Sequence, residues 1–156
     1  MGYEKTQHGR LHLILLAAAG GMLVGAWFAR DELTMAVLLP VIAAIFVLLA
    51  LMFRSLTICD EGEWLALRYG PLTVFRKRIC YSDITSVEPG RISIIDGWGI
   101  HYIPGRGWTY NLWGFGCVKL TLGRKVIRVG TDDVDRLVEF LRTKLGPREA
   151  EDRVSA

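Results

Sequence analysis

Long apolar runs dominate the first third of the chain. One run of 19 residues covers 11–29, with His12 as its only polar side chain, and a run of 21 residues covers 33–53, interrupted only by Thr34 and Pro40. At a rise of 1.5 Å per residue, each run forms a helix that covers roughly the 30 Å hydrocarbon thickness of a bilayer. Only three residues connect the runs, so the helices must be antiparallel. The pattern therefore predicts a transmembrane helical hairpin.

Two other interpretations of the apolar runs are a buried core helix and a signal peptide. Two such runs in succession are unusual for the core of so short a chain. No small-residue cleavage pattern separates them, only Arg30-Asp31-Glu32. Basic residues flank the outer ends of the hairpin, in the N-terminal segment 1–10 and in the run 76–78. Because cytoplasmic segments are enriched in Lys and Arg, both ends are predicted to be cytoplasmic.

Small side chains form a stripe on the first helix. Ala17, Gly21, Gly25 and Ala29 recur every four residues and so lie on one face, where another helix can approach closely. One interpretation is that the stripe packs against the second helix of the same hairpin. The other is a contact with a second copy of the chain or with another membrane protein.

From residue 55 onward, apolar positions alternate with a period of two and are separated by glycines and prolines. Such a pattern is typical of short strands. The runs are 56–59, 64–69, 72–75 continued by 78–81, 84–88, 92–95, 97–102, 108–113, 117–122 and 125–129. They predict six or seven antiparallel strands.

One amphipathic helix closes this region. Val134, Leu137, Leu141 and other apolar residues form a single stripe, Thr131 is the expected N-cap, and Gly146 the expected stop. The fold class is therefore α+β: a transmembrane hairpin, then an antiparallel β-barrel over 55–146 capped by one C-terminal helix. The charged, aperiodic tail 147–156 is predicted to be disordered.

Composition and charge exclude several classes of function. The chain is 51% hydrophobic and 22% charged, with a net charge of +3, which argues against disorder and against nucleic-acid binding. Its three cysteines and three histidines have no metal-ligand spacing, and no nucleophile motif or phosphate-binding glycine loop is present. We therefore predict a protein without catalytic residues, metal or cofactor.

A short basic run is the first candidate surface. Arg76, Lys77 and Arg78 lie between apolar segments, as at a hairpin tip or a bulge. One interpretation is a solvated cluster that protects a sheet edge. The alternative is a contact with anionic lipid, which is worth about 1 kcal/mol per basic residue near the membrane surface.

A glycine-rich aromatic segment between 97 and 116 is the second candidate surface. It carries more ring area than a small barrel needs inside, so we consider core packing, a membrane-facing belt and a protein contact as alternatives. The candidate partner surface comprises Trp98, Trp108, Tyr110, Trp113 and Arg106.

The order of these segments resembles bacterial membrane proteins that carry a pleckstrin-homology-like domain. The residues that carry the resemblance are the strand pair 118–131, the Gly-Thr-Asp-Asp helix start and Gly-Trp-Gly-Ile-His at 97–101. The resemblance implies a barrel that serves as an interaction or membrane-complex module. Eukaryotic relatives bind phosphoinositides through basic residues around the first β-turn. Here that turn is the acidic Asp60-Glu61-Gly62-Glu63, which argues against inositol-phosphate binding.

The predicted function is a non-enzymatic, membrane-anchored interaction module in the cytoplasmic membrane of a bacterium. It is expected to contact membrane lipids and to scaffold, assemble or accompany a protein complex, or to self-associate. A lipid- or small-ligand-sensing domain at the membrane surface is the alternative.

Overall fold

The computed structural model describes residues 2–71, 75–93 and 99–146. The predicted strands over 72–75 and 92–95, the start of the segment at 97 and the tail 147–156 lie wholly or partly outside them. The helices are α1 Leu11–Phe28, α2 Leu33–Met52 and α3 Val134–Leu145, with a 3-10 turn at Tyr81–Asp83. The strands are β1 Glu4–His8, β2 Ser55–Asp60, β3 Trp64–Tyr69, β4 Arg76–Cys80, β5 Ser86–Arg91, β6 Gly99–Ile103, β7 Gly107–Asn111, β8 Gly116–Leu122 and β9 Lys125–Gly130.

Helices α1 and α2 form the predicted antiparallel hairpin, and both are long and apolar enough to span a membrane. Alanines spaced by seven residues are buried at their contact, Ala19 and Ala26 on α1 and Ala43 and Ala50 on α2. A seven-residue repeat keeps one seam in contact when two helices coil around each other, and small side chains let the backbones approach closely.

The predicted small-residue stripe only partly coincides with this seam. Gly25 and Ala29 are half-buried on the side of α2, and a Cβ at Gly25 would lie 3.6 Å from Leu39. Ala17 and Gly21 are exposed. A spacing of four residues drifts around a helix that has 3.6 residues per turn, whereas the buried alanines follow the contact.

The N-terminal segment is part of the β-domain. Its residues 4–8 form β1, which pairs with β2 from Glu4↔Cys59 to His8↔Ser55. Just before β1, Tyr3 is buried and its ring stacks on Phe140 of α3, with centroids 5.3 Å apart. Residues 4–8 therefore extend the sheet formed by the region 55–146. Strand β1 precedes α1 and strand β2 follows α2, so both ends of the hairpin connect to neighbouring strands of one sheet.

Two sheets enclose one apolar core. Sheet A has the order β1-β2-β3-β4 and sheet B the order β5-β8-β9-β7-β6. The predicted hairpin at 117–129 is confirmed by the β8–β9 register. Within the described strands, however, no pairing joins sheet A to sheet B, so the closed barrel is not formed. The pairing of β7 with β9 is parallel, which departs from the antiparallel prediction.

Strand β5 continues through Pro89 and Gly90, where the sequence predicted an end. Pro89 pairs with Val118 of β8. Proline lacks a backbone N–H and is therefore tolerated at the edge of a sheet, and β5 is an edge strand of sheet B.

Helix α3 confirms the predicted apolar stripe, because Leu137, Val138 and Leu141 are buried in the shared core. Its predicted cap was wrong. The helix begins at Val134 after Asp133, and the hydroxyl of buried Thr131 accepts a hydrogen bond from the N–H of Asp133 at 3.1 Å. Thr131 thus shapes the loop that leads into the helix. The helix ends before Gly146, as predicted.

Candidate functional site

The basic side chains at 76–78 in β4 project from opposite faces of sheet A. Lys77 and Ile79 pair with Leu67 and Leu65, whose side chains lie in the core, so Lys77 projects toward the interior side. Residues directly opposite each other on paired strands share a face. Arg76 and Arg78 consequently project outward. The lipid contact predicted for 76–78 is therefore not one continuous surface.

On the outer face, the arginines of the run are held by one acid. The carboxylate of Glu61 accepts hydrogen bonds from Arg76 at 2.9 and 3.0 Å and from Arg78 at 2.8 Å, and Arg68 also donates to it. The Arg68 hydrogen bond, aided by Arg76 and Arg78, lowers the pKa of Glu61. Glu61 therefore remains ionised near neutral pH and offsets part of the positive charge.

The aromatic residues of β7 stand on the core-facing side of sheet B. Trp108 and Tyr110 pair in parallel with Ile127 and Val129, both of which belong to the core. Nevertheless, Trp108 is 46% exposed, because sheet A does not extend over this part of sheet B. The rings form a row with Tyr102 of β6, with centroid distances of 5.6 Å from Tyr102 to Trp108 and 6.3 Å from Trp108 to Tyr110.

These rings form one wall of an open cleft between the two sheets, which we call the seam cleft. Its volume is about 550 Å³. Its lining residues are Lys77, Tyr102, Gly105, Arg106, Gly107, Trp108, Tyr110, Arg124, Lys125, Val126 and Ile127. An adjoining depression of about 510 Å³ shares Lys77, Arg124, Lys125 and Ile127 with it.

Lys77 gives a physical reason why the barrel stays open at this position. It lies on the interior side of β4, which is the edge strand of sheet A. Closing sheet A onto sheet B would remove its ammonium group from water, and burying an unpaired charge is strongly unfavourable. An inward-pointing charge on an edge strand has the same effect in other sheets.

The electrostatics of the seam cleft are positive. Lys77, Arg106, Arg124 and Lys125 are exposed at its rim, and none of the lining residues that the structure describes is acidic. The side chain of Arg128 donates a hydrogen bond to the backbone carbonyl of Arg106, which fixes the β6–β7 turn. Burial raises the pKa of Tyr110, so its hydroxyl stays protonated and can donate a hydrogen bond to an anion.

The structure divides the predicted partner surface. Trp108, Tyr110 and Arg106 meet in the seam cleft, where Lys77 of the predicted lipid contact joins them. Trp113 is half-buried at the opposite end of β7, where a Cβ at Gly9 would lie 3.3 Å from its Cβ. Trp98 lies outside the described residues.

Sequence reasoning did not assign Tyr102, Arg124 and Lys125 to a site. Tyr102 follows the alternation of β6, which places it opposite Trp108. Arg124 and Lys125 lie at the β8–β9 turn, where basic residues are ordinary in any hairpin. Only the parallel β7–β9 pairing brings this turn next to the aromatic row.

A second polar cluster joins the β2–β3 turn to α3. The carboxylate of Asp60 accepts hydrogen bonds from Tyr81 at 2.9 Å and Lys144 at 3.0 Å, and from the N–H of Gly62 at 3.1 Å. Burial opposes ionisation of Asp60, but the bonds from Lys144 and Tyr81 outweigh it and lower its pKa. Because every group is engaged within the fold, we assign this cluster a structural role.

Within the described ranges, no three His, Cys, Asp or Glu side chains are arranged to hold a metal ion. His101 lies in β6 opposite Thr109, and Cys59 and Cys80 are free thiols. No protein-family model, curated protein or solved structure matches this chain.

Proposed function

We propose that this protein is a non-enzymatic, membrane-anchored interaction module that binds an acidic segment of a partner protein in the seam cleft. The observation that carries the proposal is the row of three partly exposed aromatic rings beside four basic side chains. Tyr, Trp and Arg are the residues that most often dominate binding energy at protein interfaces. A basic rim favours partners of negative charge.

The position of the seam cleft supports a protein partner over a lipid of the same membrane. Gly116 of β8 and Gly130 of β9 lie at the end of sheet B nearer the hairpin, because β9 leads into Thr131 beside Gln7 and His8. Arg124 lies beyond the other end of β8, whose length is about 20 Å at 3.4 Å per residue. The β8–β9 turn that carries Arg124 therefore lies at the end of sheet B away from the bilayer around α1 and α2, which favours a partner that approaches from the aqueous phase.

The edges of both sheets support an extended segment as the occupant. Strands β4 and β6 each end the strand order of their sheet, and both contribute a residue to the seam cleft. A peptide that runs along either edge gains backbone hydrogen bonds while its side chains contact the aromatic row.

A small anionic molecule is the second candidate ligand. The volume of about 550 Å³ falls within the range of small-molecule sites, and the lining combines aromatic walls with a few basic groups. This corresponds to a ligand-sensing function at the membrane surface.

Selection of peptides on the full-length protein in lipid nanodiscs tests the proposal. We expect enrichment of segments that place acidic residues next to an aromatic or apolar residue. The variant Trp108→Ala should weaken binding about 30-fold, which corresponds to about 2 kcal/mol. Lys125→Glu should also weaken it, because the charge at the rim is reversed.

Arg136→Glu is the matched charge control, since Arg136 is exposed on α3 outside the seam cleft and should leave the Kd unchanged. Binding that is insensitive to both cleft variants would contradict the proposal. A small anion that remains bound after gentle extraction of the wild-type protein, and is lost from Trp108→Ala, would favour the second candidate instead.

The membrane anchor in this proposal is the α1–α2 hairpin, placed in the cytoplasmic membrane of a bacterium with the β-domain in the cytoplasm. The antiparallel hairpin and the β1–β2 pairing put both of its ends on one side. Arg10 and Arg54 flank those ends, whereas the connection carries Asp31 and Glu32 beside Arg30. The pleckstrin-homology-like character of the domain stays a prediction.

A topology reporter tests this orientation. A fusion after Ala156 to an enzyme that is active only in the cytoplasm is expected to be active, because the domain follows the basic end of the hairpin. The same fusion point with a reporter active only in the periplasm is the control and should give no signal. The reverse pattern would place the β-domain outside the cytoplasm.

A further inference from the structure

The junction between the hairpin and the β-domain leaves little freedom of movement. Only Gly9 and Arg10 separate β1 from α1, and only Phe53 and Arg54 separate α2 from β2. A Cβ at Gly70, in the turn after β3, would lie 2.6 Å from the carbonyl oxygens of Leu51 and Met52. The base of the domain therefore sits directly on the ends of the helices.

Aromatic side chains are exposed at this base on both sides of the helices. Phe75 is 40% exposed, and its ring centroid lies 6.0 Å from that of Phe53 at the end of α2. On the side of α1, Phe115 is 43% exposed and lines a small depression together with His8 and Trp113. We call Phe53, Phe75, Trp113 and Phe115 the basal collar.

A second aromatic group lies at the other end of the hairpin. Trp27 is 68% exposed and Phe28 is 82% exposed at the end of α1, and the guanidinium of Arg30 lies 5.3 Å from the centroid of the Trp27 ring. The 18 residues of α1 separate the two groups by about 27 Å. This is close to the hydrocarbon thickness of a bilayer, whose two interfaces are enriched in aromatic side chains.

We propose that the basal collar inserts into the headgroup region of the bilayer, so that the β-domain lies on the lipid surface in a fixed orientation. The inference rests on the membrane-spanning hairpin of the proposed function. The lipid surface fits as the occupant because the collar surrounds the helices where they leave the hydrocarbon. Arg10, Arg54 and Arg91 are exposed at the same level, where anionic headgroups attract them.

The consequence of the insertion concerns the seam cleft. Phe115 follows β7, and a Cβ at Gly99, which starts β6, would lie 3.8 Å from the Phe53 ring. Both strands of the β6–β7 hairpin therefore rise from the collar toward Arg106 at their turn. A collar held in the interface keeps the rim of the seam cleft pointing away from the membrane.

Spin-label accessibility measures the depth of the collar directly. The full chain, with partly exposed Cys80 replaced by serine, carries one nitroxide at Phe115→Cys or Phe75→Cys in vesicles of phosphatidylcholine and phosphatidylglycerol. The reference positions are Val24→Cys, exposed in the second half of α1 one turn before Phe28, and Glu63→Cys, exposed at the β2–β3 turn. Oxygen accessibility relative to that of a water-soluble nickel chelate rises with depth in the bilayer.

We expect the ratio at 115 and 75 to lie between those at 24 and 63, as for a headgroup location. A ratio at 115 and 75 equal to that at 63, with 24 in the hydrocarbon, would overturn the collar and leave the hairpin intact. A label at 24 that reports water would instead refute the membrane-spanning hairpin itself.

A benzoylphenylalanine at 115 provides a second measurement that retains an aromatic ring. Irradiation in the same vesicles should give lipid adducts at 115, and none when the same residue replaces Glu63. Absence of lipid adducts at 115 from a protein with an unchanged near-ultraviolet circular dichroism spectrum would also overturn the proposal.

Discussion

Leu141→Ala is expected to lower the free energy of unfolding of the β-domain by about 2–5 kcal/mol. Leu141 is fully buried in α3 and belongs to the core that both sheets share. Truncation to alanine removes apolar contacts and leaves a cavity that rigid sheets fill only partly. Urea unfolding of the full chain in detergent, followed by near-ultraviolet circular dichroism, measures the loss.

Leu145→Ala is the matched control, because Leu145 lies on the same stripe but is only partly buried. Leu145→Ala should lower the free energy of unfolding by a clearly smaller amount, since less buried apolar surface is removed. Equal decreases in the free energy of unfolding for the two variants would contradict the packing of the centre of α3 against the core.

Gly107→Ala is expected to destabilise the domain by about 3 kcal/mol or more, from left-handed backbone strain together with overpacking. Gly107 has a φ of +85°, and a Cβ there would clash with the carbonyl oxygen of Val126 and lie 2.9 Å from its carbonyl carbon. Both Val126 atoms belong to the backbone of β9, so relief requires β7 and β9 to separate. The same urea titration measures the effect.

Gly105→Ala separates strain from collision. Gly105 has a similar φ of +78°, but nothing lies within 4 Å of a Cβ there. This control should cost only about 1–2 kcal/mol, the strain of a left-handed backbone. If Gly105→Ala proved as damaging as Gly107→Ala, the close approach of β7 to β9 would not be the cause. Because Trp108 follows Gly107, we also expect Gly107→Ala to disturb the aromatic wall of the seam cleft.

The strand at 4–8 could not be predicted from the local sequence pattern. Its sequence, Glu-Lys-Thr-Gln-His, has no apolar alternation and no β-branched run. The strand forms because β2 offers an edge and because the adjacent helices hold the two segments together. A hydroxyl contact of 2.8 Å between Thr6 and Thr57 accompanies the pairing. None of these causes is visible in five polar residues.

The seam cleft could not be predicted from local sequence patterns either. The sequence identified Trp108, Tyr110 and Arg106 as one surface and Lys77 as another, but it did not place them together. Their meeting depends on the parallel β7–β9 register, which joins residues 19 positions apart, such as Trp108 and Ile127. Pairing between strands this far apart in the sequence depends on how their side chains pack in the whole sheet.

The sequence by itself determined the hairpin, the core strands β2, β3, β8 and β9, and the closing helix. In each of these segments, apolar side chains recur with the period of a helix or of a strand. The local backbone geometry therefore places them on one buried face and the polar side chains on the other. The tertiary structure alone decided the pairing of β1, the open seam beside Lys77 and the convergence of basic and aromatic groups there. These depend on which segments meet in space, and a charge that resists burial only prevents closure when the neighbouring sheet is in place.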